Sequence, residues 1–526
     1  MIVSRIIRFL KRPIADLTAS FVILACFGVS RLLYFLAGVR FEAARPLAGF
    51  FQIVDPVLLR DRLFETTWYM HSQPPGFNFF IGLALKATPT IDAASALLAF
   101  CWILLGVLLS ILLYRLQREL SVYPTVAMLT TAWFMISPGV DLFENLLIYE
   151  YPLLVMLMLA AWALLRFART GRIAYAGTFF TLIVLLAYTR SLFHLFWAVP
   201  VAAGCLWASG PATKNKTALA LATLSVSLVF GLFLKNYILY GQFTSSTWLG
   251  FNLCTFTTHQ LPDNLRQQLV REGVISGVSA VDAPAPLSYY AKYIHPVAKT
   301  GVPILDQDVD STGRDNFNNL EYFQVQKYIA QDAKVVLARY PQCLLKSMAI
   351  AWFTYFFPTG DFPDFRVNRP KIFGWDRAFN LVFFGQWKDA TDRKRLRREG
   401  IGPGMILYMG AYLAIALPLL FAYGCWRLWR EWKMAPRDRA VVAVLAFMLF
   451  NIFFVTGVVN TLSSFENNRY RFPLDGYFVT LLGMAISQWL TVRGERGPEA
   501  VAGLGTEVRA TSPSGVSNDL PGPVLR

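Results

Sequence analysis

Acidic and hydrogen-bonding side chains gather in one short stretch between two apolar segments, residues 51–83. In chain order they are Asp55, Asp61, Glu65, His71 and Gln73, followed at once by Pro74-Pro75 and the aromatic run GFNFF. A carboxylate can act as a general base toward a hydroxyl or an amine, and His or Gln can hydrogen-bond a substrate. Because polar groups held close to a membrane are costly, this stretch is predicted to be a functional site.

A second set of charged residues stands at the ends of other apolar runs and suits an anionic ligand. Its members are Arg190, Lys235, Glu466, Arg469 and Arg471. Arginine matches phosphate with a planar fork of donors, so the sequence predicts a phosphate site. Two structural alternatives stay open: the cations extend along the membrane interface, or Arg190 pairs with Glu150 or Glu144.

The elements that must position these residues are membrane helices. Of 526 residues, 55% are apolar and 16% are charged, and the mean hydropathy is +0.45. A helix needs about 20 apolar residues to cross a bilayer. Apolar runs of about that length, two of them shorter, lie near 16–38, 93–115, 122–138, 146–167, 173–190, 192–208, 217–240, 404–426, 438–458 and 473–491. The chain is therefore predicted to be an all-α polytopic membrane protein with about 10–11 transmembrane helices.

The placement of Lys and Arg predicts the orientation, because short cytoplasmic loops are enriched in both. Cations precede the first span and recur in every second loop, which puts both termini in the cytoplasm and segments 39–92 and 241–403 outside. The net charge of +16 is then largely loop charge that faces anionic lipid headgroups. It calls for no nucleic-acid partner.

Four parts follow from this reading. They are a transmembrane block, 1–240, with the long first outside loop 39–92; a larger outside domain, 241–403; closing helices, 404–491; and a cytoplasmic tail, 492–526. The tail is rich in Gly, Pro and Ser and is predicted to be disordered.

Three finer expectations concern the outside domain. An amphipathic helix is predicted over 318–338. The apolar run 346–357 is interpreted as a re-entrant or interfacial helix, and a true span there would invert the orientation of everything after it. Cys254 and Cys343 both fall outside, where a disulfide and two separate thiols are equally compatible with the sequence.

Three segments resemble a known family. They are HSQPPGFNFFIGLAL at 71–85, SSFENNRYRFPLDGYFVTLLG at 463–483 and, more loosely, LKNYILYGQFTSSTWLGFNL at 234–253. Together with the order of spans and loops, they resemble the GT-C superfamily of integral-membrane glycosyltransferases, in particular its protein mannosyltransferase and lipid A aminoarabinose transferase branch. That branch often has an Asp-Glu pair in the first loop, whereas here Asp55 is followed by Pro56.

The resemblance implies an enzyme that moves a sugar from a polyprenyl-phosphate donor to a lipid, glycan or protein acceptor. The reaction would take place on the extracytoplasmic face of a bacterial cytoplasmic (inner) membrane. Asp55 is then the expected general base, its alternative role being to cap a helix over 56–66. The residues expected to bind substrate are His71, Gln73, Arg190, Lys235, Glu466, Arg469 and Arg471. No cofactor is implied, and a divalent metal is left open.

Two other classes fit parts of the sequence. A transporter or flippase of lipid-linked sugars would also place charges near the membrane, but it would want them in mid-span, where Arg31 is a rare example. An O-antigen ligase or polymerase would use arginines of a large outside loop, such as those in 366–398.

Overall fold

The computed structural model describes residues 7, 9–208, 210, 216–389, 396, 401–402, 404–434, 438–462 and 466–495. In this part of the chain the regular structure is helical, and two isolated β-bridges join Glu42 to Leu146 and Val309 to Asp315. The segments 390–395 and 496–526, which include much of the predicted tail and several arginines of the outside domain, lie outside the described residues.

The α-helices follow one another closely along the chain. In order they are α1 Asp16–Leu36, α2 Ala44–Gly49, α3 Pro56–Asp61, α4 Leu63–Tyr69, α5 Gly76–Ala87, α6 Ile91–Glu119, α7 Pro124–Met135, α8 Pro138–Glu144, α9 Glu150–Thr170, α10 Ile173–Thr189, α11 Leu195–Ala208, α12 Lys216–Tyr240, α13 Leu249–Phe256, α14 Asp263–Arg271, α15 Leu287–Tyr290, α16 Pro303–Asp306, α17 Leu320–Arg339, α18 Gln342–Tyr355, α19 Phe373–Phe379, α20 Ala411–Lys433, α21 Arg439–Leu462, α22 Asn467–Arg471 and α23 Asp475–Glu495. Single turns of other helix types lie at Thr258–Gln260, Gly277–Ala280, Thr359–Asp361, Arg369–Ile372, Asn380–Phe384, Met405–Tyr408 and Phe472–Leu474.

Six of these helices are long and apolar enough to cross a membrane: α1, α6, α9, α12, α20 and α21. The pair α7 and α8 passes the same test as one unit, but it is bent by 58°. Pro138 stands at the bend, and a proline can begin a helix but cannot continue one without losing a hydrogen bond. The predicted runs 173–190 and 192–208 correspond to the shorter apolar helices α10 and α11. An all-helical, multi-pass membrane protein is confirmed.

The helices expose and bury apolar side chains as expected of a bundle in lipid. Helix α9 is the most enclosed of the six, and it packs against α6, α10 and α21. By contrast α1 exposes Leu17 by 84% and Phe21 by 73%. Apolar surface of this extent is unfavourable in water, whereas in a bilayer it meets hydrocarbon.

The first loop and the 241–389 segment lie at the same end of the bundle, which we call the outer end. Asn368 links them, since its side-chain amide donates to the carbonyl of Arg40 at 2.8 Å. The guanidinium of Arg45 reaches Asp364 at 3.3 Å. We call the opposite end, where α6, α20 and α23 finish, the inner end.

One prediction about residues 241–403 is confirmed with adjusted bounds, and the interpretation of 346–357 as a re-entrant or interfacial helix stays a prediction. The amphipathic helix is α17, which starts one residue after Asn319 because the Asn319 side chain accepts a hydrogen bond from the Glu321 amide at 2.7 Å. The run 346–357 falls in α18, whose N-terminal Cys343 packs with Leu261 and Val336 of the outer end. At its other end, the Tyr355 carbonyl accepts from Arg471. Both ends of α18 thus contact outer-end residues.

Other bounds differ from the sequence prediction. The helix expected over 56–66 is two helices, α3 and α4, which meet at Arg62. The expected span 404–426 begins at Ala411 and continues to Lys433, because Met405–Tyr408 forms a separate tight turn. Cys254 and Cys343 carry thiols rather than a disulfide, and the Cys254 sulfur lies 3.8 Å from Nδ1 of His259.

Candidate functional site

Asp55 caps α3, as its position before Pro56 predicts. Its Oδ1 accepts hydrogen bonds from the Val57 amide at 2.8 Å and the Ser311 hydroxyl at 2.5 Å. Its Oδ2 accepts from the Ser311 amide at 2.9 Å. The carboxylate is buried, 5% exposed, and it joins the first loop to the 241–389 segment. These contacts give Asp55 a structural role, and its expected role as a base stays a prediction.

His71 also joins the first loop to the 241–389 segment. Its Nδ1 lies 2.8 Å from the Thr247 hydroxyl and its Nε2 lies 2.9 Å from the Asn318 carbonyl oxygen. The ring is fully buried, and burial lowers the pKa of His71 to about 3. Both ring nitrogens are therefore engaged within the fold, and the ring is neutral.

This burial predicts a pH dependence of stability. Unfolded His71 titrates near pH 6.5, so below that pH the unfolded chain takes up a proton that the folded chain refuses, and stability falls as pH falls. Between pH 7 and pH 5.5, we expect His71 to account for a loss of about 1 kcal/mol in unfolding free energy. The measurement is the unfolding free energy of detergent-solubilised wild type and His71→Gln at both pH values. An equal loss in the two proteins would contradict the assignment.

Two predicted phosphate ligands are likewise used within the fold. The Lys235 ammonium donates to the backbone carbonyls of Trp68 at 3.0 Å and Met70 at 2.7 Å. The Arg471 guanidinium is buried and pairs with Asp475 at 3.1 Å. Lys235 therefore fixes the end of α4 against α12, and Arg471 fixes the start of α23.

The two remaining acids of the 51–83 stretch lie at the surface. Asp61 is exposed, and Glu65 pairs with Arg62 at 3.3 Å, with both side chains accessible. An exposed pair of this kind contributes little to stability.

A cavity of about 350 Å³ opens at the outer end and receives two predicted site residues, Gln73 and Arg190. Its polar wall also holds the two tyrosines Tyr149 and Tyr470 and the histidine His194. Its apolar wall comes from α11, α12, α13 and α21, through Phe196, Phe233, Leu249, Val458, Val459 and Leu462. Phe196 and Leu249 are 85% and 51% exposed, so the apolar wall continues onto the lipid-facing surface.

The Pro-Pro turn reaches this cavity because Gly76 follows it. A Cβ atom at Gly76 would lie 2.7 Å from the carbonyl oxygen of Tyr188, closer than any side chain can approach. Because Gly76 has no side chain, α5 can start in contact with Tyr188 near the end of α10. Tyr188 lies two residues before Arg190. Gln73 and Arg190, which are 117 positions apart in the sequence, thereby line one cavity.

Arg190 and Arg469 share one buried carboxylate, Glu150. Oε1 of Glu150 lies 2.6 Å from Nε of Arg469 and 3.3 Å from an Nη atom of Arg190. Arg190 also lies over the rings of Tyr149, 5.1 Å away, and Tyr470, 4.4 Å away. Of the two partners that the sequence left open for Arg190, the structure selects Glu150. Glu144 is held instead by Arg31 at 2.8 Å.

This cluster is incompletely satisfied. Glu150 Oε2 and Arg469 Nη2 are buried, and neither has a hydrogen-bond partner among the residues that the structure describes. A buried polar atom without a partner is rare and calls for an explanation, such as a ligand that completes its bonding. Arg190 and Arg469 face two carboxylates, Glu150 and Glu466, so the charges of the cluster balance, and its unused guanidinium donors are complementary to an anion.

A partly exposed acidic pair flanks the cluster, and the sequence analysis missed one of its members. Glu466 pairs with Arg469 at 2.9 Å, and 36% of its side chain is exposed. Burial, followed by the negative charge of Glu466, raises the pKa of Asp364. The sequence carried no signal for Asp364, because 102 residues separate it from Glu466 and only the fold brings the two together.

The arginines of 366–398 that the structure describes make contacts within the 241–389 segment. Arg369 pairs with Asp361 and Asp389 at 2.5 Å each and with Asp376 at 2.8 Å. Burial raises the pKa of Asp361 to about 7 despite this contact with Arg369. Arg369 is thus fully used as an ion-pair centre that ties three acidic segments together.

Within the described residues, no group of three or more His, Cys, Asp or Glu side chains is placed to hold a metal ion. Comparison with known proteins adds no further constraint: the chain matches no protein-family model, no curated protein and no solved structure.

Proposed function

We propose that this protein is a membrane glycosyltransferase, which moves a sugar from a polyprenyl-phosphate donor to an extracytoplasmic acceptor. The observation that carries the proposal is the outer-end cavity, where one wall is cationic and aromatic and the other is apolar and open to lipid. A lipid-linked sugar phosphate has the same two-part chemistry, with an anionic, hydroxyl-rich head and a hydrocarbon tail.

The donor phosphate would bind at Arg190. This guanidinium lines the cavity and, among the residues that the structure describes, has one ion-pair contact, at 3.3 Å to Glu150, so it retains donors for phosphate oxygens. Arg469 lies behind it and shares the Glu150 carboxylate, so Glu150 does not neutralise Arg190 alone. Fixed cations of this kind stabilise the charge that develops on a departing phosphate.

The sugar and the tail would occupy the remaining walls. Gln73 and the hydroxyls of Ser245 and Ser246 line the polar side and match sugar hydroxyls. The aromatic and aliphatic side chains of α11, α13 and α21 offer the first isoprene units an apolar surface that is continuous with the bilayer.

The acceptor would be activated by a carboxylate of the neighbouring Glu466–Arg469 cluster, and Asp364 suits this role better than Asp55 does. The side chain of Asp364 is 24% exposed, and its pKa is raised toward neutral pH. An efficient general base has a pKa near the working pH. In the proposed step the acceptor oxygen or nitrogen bonds to the anomeric carbon while the bond from that carbon to the phosphate oxygen breaks. The acceptor proton passes to Asp364, and the lipid phosphate leaves as an anion held by Arg190.

In this proposal α7–α8, α10, α11 and α23 complete the membrane domain, to give about ten spans. The outer end then faces the extracytoplasmic side of a bacterial inner membrane. The support is the charge distribution, since cations collect at the inner end and the loop 139–145 carries Asp141 and Glu144 without a cation.

The test is transfer from a radiolabelled polyprenyl-phosphate sugar in proteoliposomes. We expect Arg190→Gln to weaken donor binding roughly 10–100-fold, the range expected when a charge-assisted hydrogen-bonded contact is lost. Arg190→Lys should recover only part, because an ammonium cannot reproduce the planar fork. Arg172→Gln, at the exposed opposite end of α10, is the matched control and should bind the donor normally.

Two results would favour the alternatives. Label that changes leaflet without joining an acceptor would identify a flippase of lipid-linked sugars. Transfer of a preassembled glycan, with no transfer of a single sugar, would identify a ligase or polymerase. Normal donor binding by Arg190→Gln would remove the phosphate site itself.

A further inference from the structure

A second polar cavity lies at the inner end of the bundle. It has a volume of about 380 Å³ and is enclosed by the 120–123 loop, α20 and α23. Two arginines of α20, Arg427 and Arg430, face it from one side. Ser487, Gln488 and Thr491 of α23 face it from the other.

The polar groups of this cavity are held in place by bonds between its three walls. The Tyr123 amide donates to the Ser487 hydroxyl at 3.1 Å, and the Tyr123 and Thr491 hydroxyls lie 3.2 Å apart. The Tyr423 hydroxyl donates to Oε1 of the Gln488 side chain at 3.0 Å. These contacts join loop, α20 and α23 into one preformed polar surface.

The cavity carries an excess of positive charge. Arg427 pairs with the buried Glu431 at 2.5 Å, and its Nε is buried without a hydrogen-bond partner among the described residues. Arg430 is exposed and has its charge directed to solvent or to a ligand. Among the side chains that the structure describes around this cavity, one carboxylate balances two guanidinium groups, so an anion is the complementary ligand.

Exposed tryptophans set the cavity at the level of the lipid headgroups. Trp426 on α20 and Trp489 on α23 are 41% and 46% exposed, one on each helix that lines the cavity. The Arg430 guanidinium lies 5.7 Å from the Trp426 ring, and that of Arg493 lies 4.8 Å from the Trp489 ring. Tryptophan and arginine together are typical of the membrane–water interface, where an apolar ring meets a polar layer.

We infer that this cavity binds the headgroup of an anionic phospholipid of the inner leaflet. The two arginines take the phosphate, and the Ser487 and Thr491 hydroxyls with the Gln488 amide take a headgroup that carries hydroxyls, such as glycerol. A lipid is the expected source of the phosphate because the interfacial tryptophans place the cavity beside the acyl chains. The inference is independent of the glycosyl-transfer proposal.

Native mass spectrometry of the full-length protein in detergent, with phosphatidylglycerol added, tests the inference. Loss of a charge-assisted hydrogen bond to a phosphate typically lowers affinity about tenfold or more. We therefore expect Arg430→Gln to lose about tenfold in phosphatidylglycerol affinity, and Arg427→Gln with Arg430→Gln about 100-fold. Lys433→Gln removes a cation from the same helix end outside the cavity and serves as the matched control. Arg430→Gln alone changes an exposed side chain, so its result does not depend on tolerance of the double variant.

Four outcomes decide the matter. Selective loss of phosphatidylglycerol in the cavity variants, with binding retained in Lys433→Gln, supports the site. Equal loss in Lys433→Gln would mean that general surface charge is responsible. Equal binding of phosphatidylcholine would remove the requirement for an anion. Displacement of the lipid by millimolar inorganic phosphate would assign the cavity to a free anion and overturn the lipid assignment.

Discussion

Arg469→Met is expected to lower the free energy of unfolding by roughly 3–5 kcal/mol. The substitution leaves Glu150, which is 0% exposed, with only the longer contact to Arg190. A buried carboxylate that loses its main partner keeps its desolvation cost without the compensating attraction. Arg469→Lys keeps the charge but not the fork geometry, so its loss should be smaller. The measurement is unfolding of the purified protein in detergent.

Two further variants separate this effect from general damage. Adding Glu150→Gln to Arg469→Met removes the orphaned charge and should recover much of the lost stability. Arg62→Met breaks the exposed pair with Glu65 and should change stability by no more than about 1 kcal/mol. If Arg469→Met were as stable as Arg62→Met, the buried Glu150–Arg469 contact would not be a structural centre.

Asp364→Asn is expected to reduce the rate of sugar transfer about 10²–10⁴-fold with donor binding retained. This is the usual loss when a general base is removed, and Asn keeps the size of the side chain. The Arg45 bond to the Asp364 backbone carbonyl does not depend on the carboxylate, so the fold should survive. The rate is measured at saturating donor, and donor affinity is measured separately.

Glu466→Gln gives a pH readout that a merely structural role of Asp364 would not. The Glu466 charge is the second cause that raises the pKa of Asp364. Its removal should lower that pKa and move the acidic limb of the rate profile to lower pH, because a base acts only when deprotonated. An unmoved acidic limb would argue against Asp364 as the base.

Two carboxyl variants complete the comparison. Asp263→Asn changes an outer-end carboxylate whose side chain is 90% exposed, so it should transfer normally. Asp55→Asn keeps the cap, because Asn caps a helix as well as Asp does, and it should lose only the bond from the Ser311 amide while the rate stays close to wild type. Background activity in Asp55→Asn beside normal activity in Asp364→Asn would restore Asp55 as the base.

Much of the fold could be predicted from the sequence because membrane helices are encoded locally. A run of about 20 apolar residues has few alternatives in a bilayer, where every backbone group must be bonded within its own segment. The apolar runs therefore fell on helices, and Asp55 fell on a helix start, because a cap needs only its own neighbours. Pro138 alone was enough to bend the predicted span at 122–138.

The residue types of the functional site could be predicted from the sequence, but which individual residues line the cavity could not. The sequence singled out Gln73, Arg190, Glu466 and Arg469, and these lie in or beside the outer-end cavity. It singled out His71, Lys235 and Arg471 on the same grounds, yet these side chains bond to backbone carbonyls or to neighbouring side chains. A charge at a helix end has the same local pattern whether it meets a ligand or a carbonyl.

The sequence by itself determined that this chain is an all-helical membrane protein, and it determined which charges stand at the ends of its apolar runs, since both depend on neighbours in the chain. Only the tertiary structure decided which of those charges are neutralised within the fold and which line a cavity. Glu150, Arg190, Asp364 and Arg469 come from four distant segments, and the packing of α9, α10 and α22 brings the two arginines to one carboxylate oxygen of Glu150. Pairing of this kind depends on distances between elements, to which local patterns are blind.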